Sequence, residues 1–229
     1  MAFKLIYLAK RNPSVPFADW PRTWRSHAVY VSQFPAVGGA IDKLHYCCRM
    51  DECPAGFSDS YDGVALVASH SRETLSGTMQ PDDRALVDKD ELRVFSTLVD
   101  NFSIDTEQAG SQGQGYGRAA VIRFLARGSG ISPAQFDERL SGAHADLVAA
   151  AMSGAAAITH YVTDRVLGTP PAGYEYDGIT QAWFASPEDA LAACSDASLH
   201  PIEQDLAGFC DMDRSVSLLT RVIHEWPKS

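Results

Sequence analysis

The chain repeats itself at a nearly fixed distance, and this limits its possible folds more than any other feature. Asp62-Gly63 in SYDGV and Asp177-Gly178 in EYDGI lie 115 positions apart, as do His45-Tyr46 and His160-Tyr161. Ser71 and Glu73 recur as Ser186 and Glu188 at the same offset; His27 and His144 differ by 117, Phe95 and Phe209 by 114. Sparse matches in one order at one offset mark a duplicated unit. The 229 residues therefore divide into a module over 1–110, a Gly/Ser/Gln linker over 111–118 and a second module over 119–229. The stretch QAGSQGQGYGR reads as a flexible connection. Its GQGYGR precedes a strand, whereas a dinucleotide-binding loop must follow one.

Both copies follow one plan. Strands FKLIYLAK (3–10) and AAVIRFLAR (119–127) open them, and a helix follows each. In the second copy Ser132 caps the helix, Pro133 takes its first position and Gln135 completes a capping box. Phe136, Leu140, His144, Leu147 and Val148 then share one helical face. Second strands are expected over 43–49 and 157–165, third strands at VALVAS (64–69) and ITQAWFA (179–185), helical segments next, and fourth strands over 101–107 and 215–225. The order βαββαβ predicts an α+β fold of two ferredoxin-like modules. ITQAWFA places Trp183 and Phe184 on opposite faces, so its sheet must be buried on both sides. Two modules packed sheet to sheet would close a pseudo-dimeric α+β barrel with its helices outside.

Composition excludes several partners. A net charge of −10 with no basic cluster argues against nucleic acid and anionic membranes. The longest apolar run, 147–158, is short and interrupted, and the N-terminus lacks signal-peptide order, so a cytoplasmic protein is expected. Five cysteines without a CxxC pair point to free thiols. There is no HExxH, acidic calcium loop or GxSxG, so neither metal nor cofactor is expected.

The second copy, with FDERLSGAHADLV, ITHYVTDRVLG and YEYDGITQAWFASPEDALAAC, resembles the EthD family of the dimeric α+β-barrel superfamily. Phe136, Leu140, His144, Tyr161, Asp177, Gly178, Trp183, Phe184 and Ser186 fit that pattern in order. The first copy fits more loosely: Trp24 and His27 are three apart instead of four, and Ala68-Ser69 replaces the Trp-Phe strand. The resemblance implies a pocket between sheet and helices in each half. The superfamily includes cofactor-free isomerases, cyclases, dehydratases, small monooxygenases and haem enzymes, and a fold alone does not fix which.

His27 and His144, toward the end of a helix in each copy, are the candidate bases; the same position also suits a histidine bonding to the last helical carbonyls. Tyr46 and Tyr161 could donate to a developing enolate oxygen. Strand alternation separates each His-Tyr pair, so only one member can face the helix-side pocket. Trp24, Tyr30, His45, His70 and Trp183 complete the site as substrate-binding candidates. The turn aspartates Asp62 and Asp177 read as structural. The expected function is a cofactor-independent lyase, isomerase, cyclase or dehydratase acting on a small aromatic-derived, lactone- or polyketide-like carbonyl compound, with the first copy the more active. The alternatives are a non-catalytic small-molecule-binding or accessory protein for a catabolic oxygenase, and a small monooxygenase. The only partner expected is a small-molecule substrate, for a monomeric pseudo-dimer or a homodimer.

Overall fold

A computed structural model describes residues 3–76, 79–154 and 157–227. The strands are β1 (Phe3–Ala9), β2 (Lys43–Arg49), β3 (Gly63–Ser69), β4 (Ser103–Gly113), β5 (Ala119–Arg127), β6 (Ile158–Val166), β7 (Gly178–Phe184) and β8 (Cys210–Trp226). Between them lie α1 (Trp20–Val31), α2 (Pro35–Gly38), α3 (Arg72–Ser76), α4 (Pro81–Val94), α5 (Pro133–Ser141), α6 (Ala143–Ser153), α7 (Pro187–Ala193) and α8 (His200–Ala207).

The strands form one closed antiparallel barrel in the order β1-β3-β2-β8-β5-β7-β6-β4. This corrects the expectation of two ferredoxin-like modules lying sheet against sheet. Strands from opposite halves pair directly, β2 with β8 from Leu44↔Trp226 to Arg49↔Thr220, and β4 with β6 from Thr106↔Val166 to Gly113↔His160. Every edge that a separate four-stranded sheet would leave open is thereby hydrogen-bonded, and no edge remains. The flexible-linker reading also needs correction at its start. Residues 108–113 are strand, because β4 must run past its own half to reach β6.

Alternation along each strand sorts side chains into two layers. Ile6, Leu8, Val64, Leu66, Ile122, Phe124, Ile179 and Trp183 fill the barrel interior. Tyr7, Tyr46, Ala65 and Val67 face the helices of the first half, and Val121, Tyr161, Ala182 and Phe184 those of the second. The expected two-sided burial of Trp183 and Phe184 is what the barrel shows. Inside it, Lys4 Nζ lies 2.7 Å from Asp164 Oδ1, and Gln181 Nε2 donates to Asp164 Oδ2 at 2.5 Å.

The Asp-Gly repeat does more than turn the chain. Asp62 accepts bonds from the Arg11 backbone N–H (2.8 Å) and guanidinium (2.5 Å), and Asp177 from the Arg127 backbone N–H (2.9 Å) and Nε (2.8 Å). The glycines seat the helices. A Cβ at Gly63 would lie 2.7 Å from the Trp24 ring and 2.6 Å from the Cys47 carbonyl oxygen; one at Gly178 would lie 2.9 Å from Phe136.

The second-half helix departs from expectation. The Ser132–Gln135 capping box is present, but the helix breaks at Gly142, whose φ of −104° and ψ of −103° leave the helical region. His144 is therefore the second residue of a new helix, α6, not the end of a longer one.

Candidate active site

Each half holds a histidine, a carboxylate and a tyrosine between its helices and the outer face of the barrel; in the first half the histidine and tyrosine line a cavity, in the second only the tyrosine does. In the first half α1 turns Trp20, Trp24, His27, Ala28 and Val31 inward at helical spacing. Trp24 stacks on Tyr46 of β2 (ring centroids 4.5 Å apart, planes 14° apart) and on Trp20 (4.4 Å). Beyond it, His27 Nδ1 lies 2.7 Å from Asp90 Oδ2 on α4, and Asp90 also accepts from Arg93 Nε at 2.7 Å. Burial works to raise the Asp90 pKa, but the bonds from His27 and Arg93 prevail and hold it below the usual carboxylate range. A carboxylate on Nδ1 fixes that nitrogen as the donor and leaves the lone pair on Nε2.

Among the described residues Nε2 of His27 has no hydrogen-bond partner, and His27 lines a cavity of about 790 Å³ with Tyr7, Tyr46 and Glu91. The Tyr7 and Tyr46 rings lie 6.5 Å apart, and burial pushes the Tyr46 hydroxyl up to about 12 and raises Tyr7 well above its ordinary value. Glu91 Oε2 accepts the Val99 N–H at 2.8 Å, while burial raises its pKa.

The second half has the same elements, sealed. His144 Nδ1 lies 2.9 Å from Asp205 Oδ2, but its Nε2 is 2.8 Å from the Tyr161 hydroxyl, and the histidine is fully buried. Burial lowers the His144 pKa against the opposing pull of Asp205, and burial pushes Tyr161 up to about 12. The pocket beside Tyr161 is smaller, about 300 Å³, with Arg123 paired to Glu203 on its wall. One substitution distinguishes the halves. Tyr7 pairs with Ala65 in β1–β3, and Arg123 with Thr180, 115 positions on from Ala65, in β5–β7, so Tyr7 and Arg123 occupy equivalent places.

The candidates named from sequence thus separate. His27 and Tyr46 line one cavity, Trp24 stacks on Tyr46 without lining it, and His144 and Tyr161 are bonded to each other. Tyr30 packs edge-on against Phe34 (5.4 Å) and does not line that cavity. His45 and Trp183 point into the barrel, their rings 5.1 Å apart, where burial, then Lys43 and Lys4, lower the His45 pKa to about 3. His70 is 84% exposed and pairs with Asp42 at 2.8 Å outside the site. Of the cysteines, Cys47 and Cys48 are buried and their thiol pKa values raised, Cys48 to about 12, which disfavours the thiolate. Asp90, Asp205, Tyr7 and Glu91 were not anticipated. Asp90 and Asp205 do share the 115-residue offset, but no neighbouring identity draws attention to them. Among the described residues no three His, Cys, Asp or Glu side chains gather to hold a metal ion.

The closed eight-stranded barrel with helices outside, both halves in one chain, defines an α+β barrel protein. Residues 128–213, within the second half of this chain, match the family described as EthD domain. No curated protein sequence matches it. Among solved structures the chain is similar to an anthrone oxidase-like protein (12% identity, TM-score 0.64, covering 98% of this chain and 92% of the other). It is also similar to a candidate monooxygenase from Lactobacillus acidophilus NCFM (10%, TM-score 0.55, 98% and 94%). A mutant chlorite dismutase from Candidatus Nitrospira defluvii gives 11% identity and a TM-score of 0.54, over 96% and 90%. At such identities the likeness is one of fold. Among the described residues no helix is long and apolar enough to cross a membrane.

Proposed function

We propose that the first half is an acid–base catalytic site acting on a small carbonyl or phenolic compound, with His27 as base and Tyr46 as polarising donor. One observation carries the reading: Asp90 holds His27 by Nδ1 and His27 lines an open cavity, whereas Nε2 of His144 is taken by Tyr161. In the second half histidine and tyrosine satisfy each other; in the first, Tyr46 stacks on Trp24 and lines the same cavity as His27, so a substrate oxygen can come between them. A carbonyl there would accept the Tyr46 O–H while Nε2 removes a proton from the adjacent carbon, and Asp90 would stabilise the imidazolium formed. Proton return to another atom gives isomerisation; loss of a leaving group gives dehydration or cleavage.

The test is turnover, followed by mass spectrometry on a panel of aromatic ketones, lactones and phenols, by the protein and its His27→Ala and His144→Ala variants. The reading expects His27→Ala to lose about 10²-fold or more in kcat and His144→Ala to keep its rate once folded. Equal rates in all three would leave no role for His27 as base. Binding without turnover in the unmodified protein would favour the accessory, ligand-carrying alternative. A Soret band in the purified protein would favour an oxygenase.

A further inference from the structure

We infer that the first-half cavity selects uncharged, multi-ring aromatic compounds and rejects carboxylates; this rests on reading that cavity as the substrate site. The selectivity is electrostatic. Among the described residues the cavity wall carries two permanent cations, Arg72 and Arg84, and both are already matched. Arg72 Nε lies 2.8 Å from Asp105 Oδ2. Arg84 meets Asp88 at 2.5 Å, Asp100 at 3.2 Å and Glu91 at 3.8 Å. Behind His27 the carboxylate of Asp90 adds more negative potential. An incoming carboxylate would lose its water, find no unmatched cation, and sit beside Glu91, Asp100 and Asp105.

A neutral guest meets none of these costs. Phe3, Leu5, Val31, Ile41, Val67 and Val99 supply an apolar wall, and Tyr7, Tyr46 and His27 provide a small polar end for a single oxygen. At about 790 Å³ the cavity lies in the range of sites that enclose drug-sized ligands, and it is more than twice the roughly 300 Å³ of the second-half pocket. Discrimination of this kind works by what is denied to the wrong ligand as well as by what is offered to the right one.

The test is isothermal titration calorimetry at pH 7 with 2-naphthol, anthrone and 2-naphthoate, on the full chain and on His27→Ala, Asp105→Asn and Leu75→Trp. The neutral compounds are expected to bind at least about tenfold tighter than naphthoate. Asp105→Asn, which removes one carboxylate charge from the cavity wall, should narrow that gap at least threefold. Leu75→Trp, filling the cavity from its rim, should abolish naphthol binding, whereas His27→Ala should leave the charge preference intact. Naphthoate binding as tightly as naphthol, no binding by any probe, or naphthol binding unaffected by Leu75→Trp would overturn the inference. Charge preference without turnover would leave it standing and sink the catalytic reading; turnover with a preference for carboxylates would do the reverse.

Discussion

His45 and Tyr46 are adjacent in sequence and lie on opposite sides of the barrel wall, which divides their fates. Tyr46 lines the helix-side cavity, and His45 is held neutral inside by burial and two lysines. Alternation made that separation legible, but not which of the two faces the helix-side cavity. A pH dependence follows. The His45 pKa falls from its ordinary value near 6.5 to about 3 on folding. The depressed value means the stabilisation is complete above the unfolded pKa and is lost as pH falls toward the folded one. The slope approaches about 1.4 kcal/mol per pH unit. Denaturant unfolding at pH 7 and pH 5 should therefore show the wild-type protein losing about 2 kcal/mol more than His45→Gln; parallel losses would contradict it. Asp90 also acts on this scale. Asp90→Asn leaves a neutral amide on His27 Nδ1, so kcat should fall at least about tenfold with KM little changed, and Asp90→Glu should restore part of it.

At the scale of elements, the strands were legible because each carries apolar groups at the spacing of a pleated chain, and α5 because its capping box is explicit. The break at Gly142 was not, since the apolar face runs on through it and only the backbone angles differ. The Asp-Gly pairs were read as turns, whereas their glycines let α1 and α5 approach the barrel wall. Gly63→Ala and Gly178→Ala should each destabilise the fold by about 1–3 kcal/mol through crowding against Trp24 and Phe136. Thermal unfolding of the two variants measures this, and unchanged midpoints would refute it. The interior Lys4–Asp164 pair, which joins β1 to β6 of the other half, could not be read from positions 160 residues apart. Lys4→Met alone strands a buried carboxylate and should cost about 3–5 kcal/mol, and adding Asp164→Leu should recover most of it.

For the whole molecule, an α+β plan could be read from the order of strands and helices, but the joining of edges could not. Nothing local in β2 or β4 says that its partner lies in the other copy. Severing the chain between Gly115 and Tyr116 tests that dependence. Each half alone would expose two unpaired edges, from β2 and β4 or from β6 and β8, and should self-associate or aggregate. Expressed together, the halves should assemble one to one, as light scattering after size exclusion would show. Stable monomers of single halves would mean that each closes its own fold.

The contrast between Tyr7 and Arg123 has one more consequence. In an assembly of two identical chains, any change beside one tyrosine is imposed on both sites, so neither can be altered without the other. Tethering the halves in a single chain removes that coupling. Here Tyr161 is locked onto His144 while His27 lines an open cavity, although the histidine–carboxylate pair is common to both halves.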